Sequence, residues 1–179
     1  SGHYAARLWW LLRFMGHEAV AVLDGGWPAW LAEGLPVTTA MDAPPVRLFE
    51  GAPQWQRLTP LEAVAGAPRL VDARAPERYR GETEPLDPVA GHIPGALNRP
   101  YTANWDAGGR WRAQEELLAE FLELLGDAPA EEAVFYCGSG VSACVNLLAM
   151  ARAGLPDGRL YLGSWSEWSR LGHPVARGG

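Results

Sequence analysis

The chain has 179 residues, of which 48% are hydrophobic and 20% are charged, a composition typical of a soluble globular protein with a buried core. A formal net charge of −6 excludes a global basic surface, so neither nucleic acid nor an anionic membrane is an expected partner. No apolar run approaches the roughly 20 residues that span a bilayer. Two cysteines are too few for a disulfide scaffold and fit a reducing compartment, so we expect a cytoplasmic protein.

The first element, residues 1–37, repeats the pattern of residues 139–175. At a constant offset of 138 positions the two stretches align without a gap and share ten identities. The shared positions include glycines, both tryptophans of a Trp-x-x-Trp pair and a closing Pro-Val. Such positions rarely coincide by chance, which indicates an internal duplication. Residues 1–37 are therefore expected to be the C-terminal part of an N-terminal domain whose earlier portion would precede Ser1.

A linker and a complete second domain are expected to follow. Residues 38–57 are proline-rich and aperiodic, as interdomain linkers often are. The stretch 58–179 then reads as a whole domain. It opens with "TPLE" at 59–62, a capping-box pattern that predicts a helix with Thr59 as its N-cap.

Short apolar stretches alternate with helical patterns through this second domain. Such alternation predicts an α/β fold, a parallel sheet with helices on both faces. Ligands of these sheets bind at the carboxyl ends of the strands. The predicted strands are 69–74, 133–136 and 159–162, with a loop at 91–97 that leads to another extended piece, and the predicted helices are 113–126, 142–153 and 164–172.

The loop "CGSGVSA" at 137–143 lies where a predicted strand ends and a helix begins. Glycines let the backbone curl tightly, and successive amides together with the helix dipole then favour negative charge on Cys137. That arrangement predicts a nucleophilic thiolate, although a plain strand end with a sharp turn would look similar. A phosphatase loop is disfavoured because Ala143 stands where the phosphate-binding arginine would be. Cys144 is expected to be a small buried side chain.

Several motifs together resemble the two-domain rhodanese family of sulfurtransferases over all 179 residues. In that family two similar domains follow one another and the C-terminal one is active, in agreement with the internal repeat. The resemblance implies a rhodanese-like fold, with an inactive N-terminal domain represented by 1–37 and a catalytic domain at 58–179. The motifs are "CGSGVSA", "DAR" at 72–74, "RYRG" at 78–81, "GHIPGALNRP" at 91–100, and the repeated "GGWPAW" and "GSWSEW".

The resemblance further implies a double displacement through Cys137. Its thiolate would take the outer sulfur of a small anionic donor and hold it as a persulfide. The sulfur would then pass to cyanide or to a thiol, such as that of a thioredoxin-like protein, with no metal or organic cofactor. The persulfide would be cradled by the backbone amides of the loop, which makes Gly138, Ser139, Gly140, Val141 and Ser142 the candidate binding residues.

The donor is left open between thiosulfate and 3-mercaptopyruvate. Arg78 matches the family arginine that contacts the donor's anionic tail. The Gly-Ser-Gly run after the cysteine resembles the mercaptopyruvate branch, in which Ser139 would help to position the substrate. That branch usually carries a second arginine nine residues after the first, and here the position is Asp87. The alternative function is a non-catalytic sulfur carrier or protein-interaction module. Asp72 and Arg74 are expected to fix the strand end by polar contacts, and His92 is expected to be a hydrogen-bonding loop residue.

Overall fold

A parallel sheet forms the centre of the computed structural model, which describes residues 2–41 and 43–179. The strand order is β2-β1-β3-β4, and every neighbouring pair is parallel. A single parallel bridge from Leu58 to Leu160 extends the sheet beyond β4. The strands are β1 (Arg69–Asp72), β2 (Leu97–Asn98), β3 (Ala133–Tyr136) and β4 (Arg159–Leu160). The predicted α/β class with a parallel sheet is confirmed.

Helices cover both faces of the sheet. Alternate strand residues point to opposite faces, so Val71 and Phe135 pack in one apolar cluster while Leu70 and Val134 pack in the other. The first cluster lies under α1, α5 and α6, and the second under α3, α4 and α7. The helices are α1 (His3–Phe14), α2 (Gly26–Ala32), α3 (Leu61–Val64), α4 (Pro76–Tyr79), α5 (Gln114–Leu125), α6 (Ala143–Arg152) and α7 (Ser164–Arg170). Among the described residues, no helix is both long enough and apolar enough to cross a membrane.

The amino-terminal segment packs beside the domain, and none of its described residues 2–37 joins the sheet. Helix α1 lies against α6 and buries Ala6, Trp9 and Trp10 in the first apolar cluster. The chain then runs back along the end of α1, where the amide of Gln54 donates to the carbonyl of Phe14 at 2.7 Å. Burial of two tryptophans makes this docking an apolar one.

The two copies of the sequence repeat have closely similar backbone geometry. Displaced by 138 residues, the bounds of α2 coincide with those of α7. In each copy a tryptophan Nε1 donates to a carbonyl six residues later, Trp30 to Pro36 at 3.0 Å and Trp168 to Pro174 at 2.8 Å. Gly26 has φ +61°, and its counterpart Ser164 has φ +55°. These correspondences favour the duplication, which stays a prediction.

The predicted capping box at the start of the second domain is wrong. Helix α3 begins at Leu61 with Pro60 as its N-cap, and no side chain caps it. The hydroxyl of Thr59 is buried without a hydrogen-bond partner among the described residues. Its amide donates to the carbonyl of Leu160 at 3.0 Å. Because residues 58–59 pair with β4, Thr59 is drawn away from the position in which it would cap the helix.

Candidate active site

Cys137 follows β3 directly and is only 2% exposed. Its amide donates to the hydroxyl of Ser164 at 3.2 Å, and that hydroxyl donates to the carbonyl of Tyr161 at 3.0 Å. The carbonyl of Cys137 accepts the amide of Trp165 at 3.0 Å. The start of α7 therefore holds both the amide and the carbonyl of Cys137. The role of Ser164 is missed by the sequence, although it is the only non-glycine residue with positive φ among those described.

Residues 138–142 form a loop with unpaired amides between β3 and α6. None of these five amides donates to a backbone carbonyl within the described part of the chain. Gly140 has φ +72°, and a Cβ there would lie 2.6 Å from the carbonyl oxygen of Leu162, so only glycine fits. Successive free amides at the start of a ten-residue helix are the groups from which anion-binding nests are built. The cradle expected from the sequence stays a prediction.

The cradle residues differ in their exposure to solvent. Ser139 is exposed and Gly140 is buried, whereas Gly138, Val141 and Ser142 are half-buried. The loop is therefore open on one side, at Ser139. A ligand held by the amides could approach from there.

Cys144, on α6, is fully buried, which confirms the prediction for it. Burial raises the pKa of the Cys144 thiol to about 12, with the neighbouring Arg7 opposing the rise. Its Sγ donates to the carbonyl of Gly140 at 3.4 Å. Cys144 is thus a protonated structural thiol at neutral pH, and Cys137 is the candidate nucleophile.

The structure brings Arg78 of α4 to the cysteine loop. A Cβ built on Gly138 would lie 3.7 Å from both Nη1 and Nη2 of Arg78, so the guanidinium is next to the loop backbone. The side chain is 18% exposed, which leaves it accessible to a ligand. Arg78 and Cys137 are 59 positions apart in sequence and belong to the carboxyl ends of neighbouring strands, β1 and β3.

Glu84 holds Arg78 in place, a contact missed by the sequence analysis. The Nε and Nη2 atoms of Arg78 donate to the two carboxylate oxygens of Glu84 at 3.2 and 2.5 Å. Arg74 also donates to this carboxylate at 3.1 Å. Burial raises the pKa of Glu84, but the hydrogen bonds from Arg78 and from the amides of Leu86 and Asp87 outweigh burial and lower the pKa below its ordinary value. Because Glu84 occupies the Nε and Nη2 edge of the guanidinium, Nη1 of Arg78 is left beside the loop.

Asp87 places a second buried carboxylate near Arg78, where the mercaptopyruvate branch would have an arginine. Its side chain is 1% exposed and lies 3.8 Å from Nη2 of Arg78. It accepts the hydroxyl of Ser166 at 3.0 Å and Nη2 of Arg170 at 3.4 Å. The charge of Arg78 is therefore largely balanced by Glu84 and Asp87. The exposed Arg170 adds a cation on the other side of Asp87.

The remaining motif residues make structural contacts, as predicted. Buried Arg74 binds Asp72 through Nη2 at 2.6 Å and Nε at 3.1 Å, and also donates to the carbonyl of Gly91. The Nδ1 atom of His92 lies 2.8 Å from the carbonyl oxygen of Tyr79. These contacts fix the end of β1 and the loop that follows α4. Within the described residues, no group of three or more His, Cys, Asp or Glu side chains could hold a metal ion.

Comparison with known proteins relates this chain to one family. The family described as "Rhodanese-like domain" matches residues 59–171. A Pseudomonas aeruginosa protein named "Probable 3-mercaptopyruvate sulfurtransferase" is 48% identical over 184 residues, which cover 99% of this chain and 65% of the relative. Mouse thiosulfate sulfurtransferase is 37% identical over 97% of this chain and 61% of its own length. This chain thus spans less than two thirds of either relative.

A solved structure supports the same assignment. The 3-mercaptopyruvate sulfurtransferase from Leishmania major superposes with a TM-score of 0.76 at 33% identity, over 93% of this chain and 48% of that one. Its similarity extends beyond the matched domain into the amino-terminal segment, because the coverage exceeds the matched range 59–171. The fold, the cysteine loop and these comparisons together show that the chain belongs to the rhodanese-like domain family.

Proposed function

We propose that the chain carries the catalytic domain of a sulfurtransferase that moves a sulfane sulfur through a persulfide on Cys137. The observation that carries the proposal is the loop at 138–142, whose five amides have no backbone acceptor among residues 2–41 and 43–179 and lie next to a buried cysteine. Such amides would stabilise both a thiolate and the negative outer sulfur of a persulfide. Relatives named as sulfurtransferases over nearly the whole chain support the same reaction.

The first half-reaction transfers sulfur from the donor to the enzyme. The Cys137 thiolate attacks the outer sulfur of the donor, and a bond forms between Sγ and that sulfur. In thiosulfate the sulfur–sulfur bond breaks and sulfite leaves with the electron pair. In 3-mercaptopyruvate the carbon–sulfur bond breaks, and pyruvate leaves as its enolate and takes up a proton. Nη1 of Arg78 would hold the donor's anionic tail.

The second half-reaction returns the enzyme to its starting state. An acceptor thiolate, or cyanide, attacks the outer sulfur of the persulfide and breaks its bond to Sγ. The products are an acceptor persulfide, or thiocyanate, and the Cys137 thiolate. The thiol of a thioredoxin-like protein fits this step. It would enter at the open side of the loop, where Ser139 is exposed.

The proposed sulfur donor is either 3-mercaptopyruvate or thiosulfate. The relatives carry both names, 3-mercaptopyruvate and thiosulfate sulfurtransferase. The Gly-Ser-Gly run favours 3-mercaptopyruvate, whereas Asp87 removes the second arginine of that branch and partly neutralises Arg78. We infer that a single effective cation at Arg78 serves either anion, with weak discrimination between them.

We also propose the domain organisation expected from the sequence. Residues 1–37 would be the C-terminal part of an inactive N-terminal rhodanese-like domain, 38–57 the linker and 58–179 the catalytic domain. The repeated geometry of α2 and α7 supports this division. Two free cysteines fit a reducing compartment and support a cytoplasmic location, which cell fractionation would test.

Mass spectrometry of the full-length protein tests the proposal. After incubation with 3-mercaptopyruvate or thiosulfate, the protein should gain about 32 Da, one sulfur atom, on Cys137. Cyanide should then remove that mass and yield thiocyanate. Cys137→Ser is the matched control and should gain nothing. A protein that stays unmodified with both donors would instead support the alternative, a non-catalytic interaction module.

A further inference from the structure

Arg7 of the amino-terminal segment reaches the cysteine loop of the catalytic domain. Its Nη1 donates to the carbonyl of Gly140 at 3.2 Å, across 133 positions of sequence, and lies 3.8 Å from Sγ of Cys144. The guanidinium also stacks over the ring of Trp10, with its carbon 5.1 Å from the ring centroid. A cation from α1 is thereby fixed against Gly140 of the loop.

The carbonyl of Gly140 depends on side chains for its hydrogen bonds. No backbone amide within the described residues donates to it, because the amide of Cys144 bonds instead to the carbonyl of Val141 at 3.2 Å. Its donors are Nη1 of Arg7 and Sγ of Cys144. A thiol is a weak donor, so the guanidinium provides the stronger, charge-assisted bond.

The orientation of this carbonyl decides where the next amide points. The peptide between Gly140 and Val141 is planar and trans, so its carbonyl and its amide point in opposite directions. Glycine with positive φ has many accessible conformations, and the peptide after it can flip unless something holds it. Because the carbonyl of Gly140 points at Arg7 and Cys144, the amide of Val141 points away from them.

We propose that Arg7 is a positioning residue, which turns the Val141 amide into the cradle and adds positive charge behind it. The inference deepens the sulfurtransferase function proposed above and rests on it. Arg78 supplies the cation at the Gly138 end of the loop, and Arg7 supplies one at the Gly140 end. The amino-terminal segment thus contributes to the cysteine loop itself as well as to the apolar docking against α6.

The test compares three variants of the full-length protein. Arg7→Met removes the charge and the donor but keeps the length of the side chain. Arg7→Lys keeps the charge. Arg13→Met is the matched control on the same helix, because Arg13 stacks on Trp9 at 4.9 Å and forms ion pairs with Glu18 and Asp157, away from the loop. Iodoacetamide alkylation of Cys137 is followed against pH, with the modified residue identified by peptide mass spectrometry.

The expected result is specific to Arg7. Arg7→Met should slow Cys137 alkylation roughly tenfold at neutral pH and move the pH–rate profile to higher pH, since the thiolate loses an amide and a nearby cation. It should also shorten the lifetime of the persulfide. Arg7→Lys should recover part of both effects, because an ammonium donates but lacks the planar fork that also stacks on Trp10. Arg13→Met should match the unsubstituted protein.

Other results would overturn the inference. Superimposable pH profiles for Arg7→Met and Arg13→Met would show that Arg7 only docks the segment. Should Arg7→Met fail to fold, Arg7→Gln decides, since it removes the charge but keeps a polar side chain, and an undisplaced profile for that variant refutes the positioning role. A displaced profile in a protein that forms no persulfide would sustain the role of Arg7 while the proposed sulfurtransferase function fails.

Discussion

Replacement of Arg78 by alanine is the most direct test of the donor site. The Nε and Nη2 edge of Arg78 is bound to Glu84, so a donor would receive one charge-assisted hydrogen bond, from Nη1. Such a bond contributes about 1.5–3 kcal/mol, equal to roughly one to two orders of magnitude in kcat/KM. The buried carboxylates of Glu84 and Asp87 offset part of the guanidinium charge, and we expect the lower half of that range.

The assay is steady-state turnover with 3-mercaptopyruvate and with thiosulfate. The loss should appear mainly in KM if the tail is bound equally in the ground and transition states. Arg78→Lys should recover only part, because an ammonium cannot hold the side-on pair with Glu84 and reach the donor together. Arg80→Ala is the matched control, since Arg80 lies two residues away and binds only the exposed Glu82 among the described acidic side chains. Unchanged kinetics of Arg78→Ala toward both donors would refute the assignment of the tail site.

Three further predictions follow from the site. Cys137→Ser should abolish sulfur transfer and leave the circular dichroism spectrum unchanged, since it removes the nucleophile and little volume; residual turnover would disprove the mechanism. Cys144→Ser should retain sulfur transfer but lose about 1–3 kcal/mol of unfolding free energy in urea, because a polar hydroxyl replaces a buried thiol. Glu84 has a lowered pKa, so its contribution to stability is present above its ordinary value of 4.5 and is lost as pH falls through the folded-state pKa. Glu84→Gln should therefore lose stability less steeply below pH 4.5 in acid titrations, and an unchanged slope would contradict this.

Local patterns in the sequence predict most of the fold. The apolar run at 133–136 is β3 residue for residue, because a short buried strand between polar turns has few alternatives. Helix α6 was expected at 142–153 and spans Ala143–Arg152. The capping box failed since the pairing of residues 58–59 with β4 is a tertiary contact that the motif does not encode.

The candidate site also combines residues that the sequence predicts with residues that only the structure reveals. The cysteine loop can be predicted from its own sequence pattern, because its glycines mark the tight turn that follows β3. The residues that hold this site in place have no such sequence pattern. Glu84 contacts Arg78, Ser164 of α7 contacts Cys137, and Arg7 contacts Gly140 from 133 positions earlier in the chain. Polar side chains that act over such separations have no periodicity, so only the three-dimensional structure reveals them.

If Cys137 carries the proposed persulfide, its burial would determine which of the two sulfur atoms an acceptor can reach. Attack on Sγ would have to come in line with the sulfur–sulfur bond, from the side opposite to the outer sulfur, and with the residue 2% exposed that side offers a nucleophile little space. In the persulfide the outer sulfur stands about 2 Å further out, one sulfur–sulfur bond length. Attack there delivers the sulfur to the acceptor, whereas attack on Sγ would expel hydrosulfide and trap the protein as a mixed disulfide. In the proposed reaction the depth of the cysteine would thus give regioselectivity, with the enzyme's own thiolate as the productive leaving group.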